Sequence, residues 1–282
     1  MACLLKNSNL NDVPYIEFWP NGNLYALVLT HDIETDSGQK LVKQMMDLEY
    51  NLGFRSSFNF VPERYELDFD LMEELRKKGF EIGIHGLKHD GKLFRSKIEF
   101  EKRAIGINHY LNELKATGFR APLTHRQPEW MQTLEIEYDL SFFDTDPFEP
   151  IPGGTMSLWP FEIGKFIELP YTLAQDYTLF EVMGEKTPRI WLEKVEFIKR
   201  YHGMVLINTH PDYLANNIIW DSYVEFLHKI KSRGGYWHAL PREVARWWRL
   251  RSQAVSPSSL PACSIGKMYL SDNGIILSRG GE

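Results

Sequence analysis

The chain has 282 residues, 43% of them apolar and 13% aromatic, with 25% charged, which is enough apolar material for a sizeable buried core and excludes collagen-like, coiled-coil and disordered readings. Thirty-two basic against 38 acidic residues leave a net charge of -6, which offers no electrostatic footprint for nucleic acid or an anionic membrane. No apolar run reaches the roughly 20 residues of a transmembrane segment, the start lacks the pattern of a signal peptide, and the expected address is cytoplasmic. Only Cys3 and Cys263 are present, so neither a disulfide framework nor a cysteine metal cluster is expected, and any metal must be held by His and carboxylates.

In chain order, Tyr25 to Thr30 is predicted to be the first strand and Gly38 to Leu52 its helix, because Leu41, Met45, Leu48 and Leu52 recur at helical spacing. Arg55 to Val61 reads as a strand, Phe69 to Lys78 as a helix stopped at Gly79, and Glu81 to Ile84 as a third strand. Lys92 to Ala116 carries Leu93, Ile98, Ala104, Ile107, Leu111 and Leu114 on one helical stripe, closed by Gly118. Phe119-Arg120, Leu140 to Phe143 and Phe166 to Leu169 are further strands. Trp191 to Tyr201, Met204 to Asn208, Trp220 to Ile230 and Pro241 to Trp248 continue the alternation. About seven βα units suit a closed or nearly closed α/β barrel.

The Gly- and Pro-rich stretch Phe148 to Pro170, with Trp159 and Phe161, is long for a βα connection and is a candidate binding loop. The barrel is expected to occupy residues 1–251, a linker 252–266, and a C-terminal tail 267–282, where Ser271-Asp272-Asn273-Gly274 between two apolar runs signals a β-hairpin.

The chemistry sits after the apolar runs. Strand ends carry Thr30-His31-Asp32-Ile33-Glu34, His85-Gly86-Leu87-Lys88-His89, Arg120-Ala121-Pro122 and Asn208-Thr209-His210. In parallel α/β folds these ends converge on one face, so residues remote in sequence meet in one pocket. The spacing of His85 and His89 places both imidazoles on one side of a helical turn, as a metal requires, although such a pair alone reads more simply as cap or surface histidines. Asp32 and Glu34 point to one face of an extended segment, so that one carboxylate can bind the metal while the other takes a proton; an N-cap role, with Asp36 or Ser37 as substitute caps, is the plainer alternative. With an ordinary pKa of about 6.5, His210 suits a general acid. Arg120 needs a carboxylate partner if buried, and Asp144 or Asp146 is a candidate to orient Arg120 or His210.

Taken in order, these motifs resemble those of the polysaccharide deacetylase family, the NodB homology fold of carbohydrate esterase family 4, over roughly Tyr25 to Trp248. The resemblance implies a distorted (β/α)7 barrel of the glycoside hydrolase/deacetylase type, a divalent metal, most often zinc, and a hydrolase of carbohydrate metabolism that removes N-acetyl groups from a sugar. It further implies Asp32 as general base, Glu34, His85 and His89 as metal ligands, His210 as general acid, Arg120 as the holder of Asp32, and the Leu123 backbone N–H as oxyanion donor. Three features depart from the commonest pattern: a residue intervenes between the paired acids and the second is Glu, Leu123 replaces an aromatic residue, and Asp144 or Asp146 stands in for an Asp-Trp motif. A precursor or unit of a cell-surface polysaccharide is the expected substrate, with Trp159 and Phe161 stacking on the sugar. A related cyclic-amide hydrolase and a non-catalytic sugar-binding barrel are the alternatives.

Overall fold

The computed structural model describes residues 12–144, 154–254, 265–271 and 274–278. Short strands alternate with helices in the order β1 (Asp12–Ile16), β2 (Tyr25–Ile33), α1 (Asp36–Leu52), β3 (Ser56–Phe60), α2 (Phe69–Lys77), β4 (Glu81–His85), α3 (Lys97–Glu113) and β5 (Gly118–Arg120). There follow α4 (Pro128–Met131), β6 (Tyr138–Asp139), β7 (Phe161–Ile163), β8 (Phe166–Glu168), a π-helix (Tyr177–Val182), α5 (Arg189–Arg200), β9 (Met204–Thr209) and α6 (Pro211–Leu214). Finally come α7 (Asn217–Arg233), β10 (Tyr236–His238), α8 (Pro241–Gln253), β11 (Ile265–Ser271) and β12 (Gly274–Ser278).

Every residue of β2, β3, β4 and β9 is buried, as expected where helices cover a parallel sheet. β2 is the axis of a nine-stranded sheet. β9 runs parallel along one edge, from Ala26 to His31. The other edge is shared, β10 pairing with Tyr25 to Leu27 and β3 with Leu29 to Ile33. His238 fills the join: its Nε2 accepts from the Arg55 N–H at 2.8 Å and its Nδ1 lies 3.1 Å from the Leu27 carbonyl, bonds that require the neutral ring, and burial lowers its pKa accordingly. Beyond β3 the order is β4, β5, β6, β8, all parallel, with β7 antiparallel at the edge. The chain leaving β8 then reaches β9 from its free side, where Thr172 and Leu173 donate to the Leu206 carbonyl at 3.0 and 3.1 Å. The sheet is thus curled into the expected barrel-like form, with the ends of its parallel strands gathered on one side.

Several boundaries differ from the sequence reading. β2 continues to Ile33, carrying Asp32 within the strand. Thr35, rather than Asp36 or Ser37, caps α1, its hydroxyl accepting from the Gly38 N–H at 3.1 Å. The buried face of α1 is Val42, Met45, Met46 and Glu49, one step round from the Leu41 stripe, because Glu49 is drawn inward by His31. α3 starts at Lys97, and its inward residues are Phe100, Ala104, Ile107 and Leu111, leaving Ile98 80% exposed. Gly118 opens β5 instead of closing the helix: a side chain there would occupy the Tyr138 ring. β6 is Tyr138-Asp139, just before the expected Leu140 to Phe143.

At the C-terminus α8 runs on to Gln253, and β11 pairs antiparallel with both β12 and the N-terminal β1 in a separate three-stranded sheet. Cys3, Cys263 and Asp146 lie outside the described residues.

Candidate active site

Asp32 and Glu34 leave the end of β2, His85 ends β4, Arg120 ends β5 and His210 follows β9. These ends meet at the base of a cavity of about 510 Å3, lined also by His89, Leu123, Tyr171, Tyr177, Val182 and Tyr213.

The His85 ring is oriented from behind. Its Nδ1–H donates a hydrogen bond to the Arg120 carbonyl at 3.1 Å, which leaves the lone pair on Nε2. His89 is not one helical turn away, as expected from its spacing: residues 86–92 form an irregular loop in which Gly86 has φ +64° and His89 itself φ +53°. Gly86 is required, because a Cβ would stand 2.4 Å from the Pro122 ring. The loop brings the imidazoles together at 5.0 Å between centroids. Glu34 Oε1 is 3.0 Å from His89 Nε2 and 3.7 Å from His85 Nε2. The ligand atoms of these three residues lie within 4.8 Å of one another, and both Nε2 atoms are buried without a hydrogen-bond partner. Two imidazoles and a carboxylate converging on one place fit a divalent cation with an open coordination position.

Asp32, 1% exposed, is held on both oxygens. Oδ1 accepts from Asn59 Nδ2 at 2.9 Å and from Arg120 Nη1 at 3.1 Å, and Oδ2 accepts from Asn208 Nδ2 at 2.8 Å. Burial alone would raise this carboxyl, but Arg120, then the His85 and His210 imidazoles and Asn59, hold it well below the usual carboxylate range. Arg120 is equally committed: Nε donates to the Leu140 carbonyl at 2.9 Å, and the two terminal nitrogens donate to Thr30 Oγ1 and, from Nη1, to Asn208 Oδ1.

His210 faces the same centre, its Nε2 3.9 Å from Asp32 Oδ2 and 3.8 Å from Glu34 Oε1. Its partner is Asp176, which accepts from Nδ1 and from the His210 backbone N–H, each at 2.6 Å. Burial disfavours the imidazolium, yet Asp176, with Asp32 and Glu34, outweighs it and pushes the ring up to about 9. The expectation that Asp144 or Asp146 orients Arg120 or His210 is corrected for Asp144, which pairs with Lys194 at 2.8 Å, a buried cation delivered by α5; Asp146 lies outside the described residues.

Trp159 and Phe161 do not line the cavity. Trp159 follows Leu158, whose carbonyl accepts from Met204 N–H at the start of β9, and its indole donates to the His202 carbonyl. It therefore lies at the amino-terminal ends of the strands, about 20 Å of strand away from His210. Phe161, on the edge strand β7, packs edge-on against Phe142. The aromatic wall is instead Tyr171, Tyr177 and Tyr213, with Tyr177 and Tyr213 5.5 Å apart. Leu123 reaches the cavity from a turn in which Leu123 and Thr124 both have positive φ, +58° and +54°, a strained pair of the kind that clusters at functional sites.

No protein-family model matches the chain, and no curated protein matches it in sequence. Solved structures do match. A chain assigned as a polysaccharide deacetylase from Mycobacterium smegmatis superposes with a TM-score of 0.68 over 85% of this chain and 95% of its own, at 16% identity. This is the polysaccharide deacetylase fold. A second protein described as a polysaccharide deacetylase, from Pseudomonas aeruginosa PAO1, shares it with a TM-score of 0.69 over 83% and 94% of the two chains at 14% identity. The PuuE allantoinase has the same fold at 0.66, over 84% and 94%, at 16% identity. The deacetylase fold accounts for the curled sheet and for a cavity at the strand ends. Among the described residues no helix is long and apolar enough to cross a membrane.

Proposed function

We propose that the protein is a metal-dependent hydrolase that removes N-acetyl groups from a sugar, a precursor or unit of a cell-surface polysaccharide. The observation that carries the proposal is the convergence, at the base of one cavity, of a His/His/Glu cluster with orphaned Nε2 atoms, an arginine-held Asp32 and an aspartate-held His210. Glu34, His85 and His89 would hold the ion, most suitably zinc, which when bound lowers the pKa of a coordinated water and polarises a carbonyl.

The chain's own residues supply the rest. Asp32, ionised and fixed on both oxygens, accepts the proton of the attacking water. His210, kept charged by Asp176, donates a proton from Nε2 to the departing amine, so that amine and acetate are released. The Leu123 backbone N–H is the oxyanion donor. Tyr177 and Tyr213 offer ring faces for the sugar, in the place first assigned to Trp159 and Phe161.

The test is metal content per chain, in the native protein and in His85→Ala, followed by acetate release from N-acetylated sugars. About one ion in the former and a large loss in the latter is expected. Absence of metal after reconstitution would reject the mechanism and favour a sugar-binding barrel. A second reading, a cyclic-amide hydrolase, draws on the shared fold of the allantoinase; turnover of a cyclic amide without acetate release would select it.

A further inference from the structure

Outside the lining of the cavity, two carboxyl groups are fully buried next to each other. Asp139 ends β6 and Glu168 ends β8, the two residues are opposite in register, and each is 0% exposed. Their hydrogen bonds sort them into different protonation states. Asp139 accepts on both oxygens, from the Ser141 hydroxyl at 2.7 Å and the Ser141 N–H at 3.3 Å. Glu168 Oε1 accepts from the Phe142 N–H at 3.1 Å, while its Oε2 is buried with no donor. A second ionised carboxylate there would be an unpaired charge against a like charge. Burial and the neighbouring Asp139 push the Glu168 carboxyl far up, and burial raises Asp139 as well, so that the two do not both carry charge; the donor-less Oε2 places the proton on Glu168.

The pair reaches the active site through Ser141. The Ser141 hydroxyl, spent as donor on Asp139, accepts the Ala121 N–H at 2.8 Å, and one residue earlier the Leu140 carbonyl receives Arg120 Nε at 2.9 Å. Ala121 lies between Arg120, which grips Asp32, and the strained turn at Leu123. A serine hydroxyl free to rotate could donate elsewhere; here its direction is set, and with it the backbone that both catalytic features depend on. We propose that Ser141, its hydroxyl fixed by Asp139, is a positioning residue that holds the Arg120 to Leu123 segment in its working geometry. Ser141, Asp139 and Glu168 do not line the cavity. The inference rests on the deacetylase reading only for its catalytic consequence.

The test uses the purified full chain and reads two things. Hydrogen exchange of the segment 118–124 is measured in the native protein, Ser141→Ala, Asp139→Ala and Glu168→Gln. Loss of one hydrogen bond at Ala121 should speed exchange there about tenfold in Ser141→Ala, with similar release in Asp139→Ala, while Glu168→Gln, which keeps a donor toward Asp139, retains protection. The infrared difference spectrum between the native protein and Glu168→Gln at neutral pH should show the loss of one protonated-carboxyl stretch, the Glu81 band being common to both and cancelling. On an N-acetylated sugar that the native protein turns over, Ser141→Ala should lower kcat about tenfold with KM and metal content unchanged. Unchanged exchange at Ala121, or equal loosening of the whole sheet, would overturn the positioning role; absence of the infrared change would overturn the protonated Glu168. If no acetylated sugar is turned over by the native protein, the deacetylase reading fails while the exchange result still decides the clamp.

Discussion

Asp32 and His210 face each other across 3.9 Å with separate supports, Arg120 and the two asparagines for one and Asp176 for the other. Loss of either should remove turnover while leaving the ligand cluster intact. Asp32→Asn and His210→Ala are expected to lower kcat by about a hundredfold or more at unchanged metal content, measured side by side; full activity in either would reject the roles. A different single residue sets a pH dependence of stability. Glu81, 3% exposed, accepts from the Tyr138 hydroxyl at 2.9 Å and from the Arg242 N–H, and burial pushes its carboxyl up to about 7. A raised pKa in the folded state means that Glu81 contributes most below its unfolded value and that this contribution is lost as pH rises toward and through about 7. Glu81→Gln should therefore melt several degrees above the native protein at pH 8 and level with it at pH 5, and an equal difference at both pH values would refute the assignment.

Elements show where sequence patterns are decisive and where they fail. Asp32, His85, Arg120 and His210 were legible because each terminates or directly follows an apolar strand, and parallel strands have only one side on which such residues can meet. Asp176 was not legible: it follows no strand but caps the π-helix, well past the end of β8, and only the path of that segment to β9 brings it to His210. Asn59 was hidden for the opposite reason, since a polar residue inside a fully buried strand leaves no mark on hydrophobic periodicity. The α1 stripe failed because Glu49 belongs to the core, where His31, Ser56 and Tyr223 all bond its carboxylate. Removing that carboxylate strands several buried groups, so Glu49→Ala should cost about 3 kcal/mol or more in denaturant titration, far beyond a solvent-facing helix position. The loop after β4 is equally constrained, and Gly86→Ala is expected to separate His85 from His89 and reduce metal content more than it reduces the melting temperature.

At the scale of the whole molecule, the three candidate ligands come from β2, β4 and the loop that follows it, so an ion held by them ties neighbouring parts of one sheet together. Free metal at a hundred times its dissociation constant should add about 2.7 kcal/mol to the stability of the fold. That gain appears as a rise in melting temperature on zinc addition, is reversed by chelation, and is absent in His85→Ala. Compositional reading gave the α/β class and the barrel, since alternation and burial on both faces act over the entire chain; it did not give β10 or β7, whose three residues each are too short for any period to register.

Thr172 shows how this barrel would breathe. Between the chain leaving β8 and β9 there is no long ladder but a stitch, with Thr172 Oγ1 donating to the Met204 carbonyl at 2.7 Å and accepting the Leu206 N–H at 3.0 Å. A seam closed by two backbone bonds to the Leu206 carbonyl and one hydroxyl is a short line beside the β2 ladders, and native-state exchange should find Leu206 and Leu173 opening before the β2 amides. The chain that makes the stitch goes on to Asp176, so a barrel that gapes along this line also uncouples the carboxylate from His210. The site would be disarmed by partial opening long before the chain unfolds.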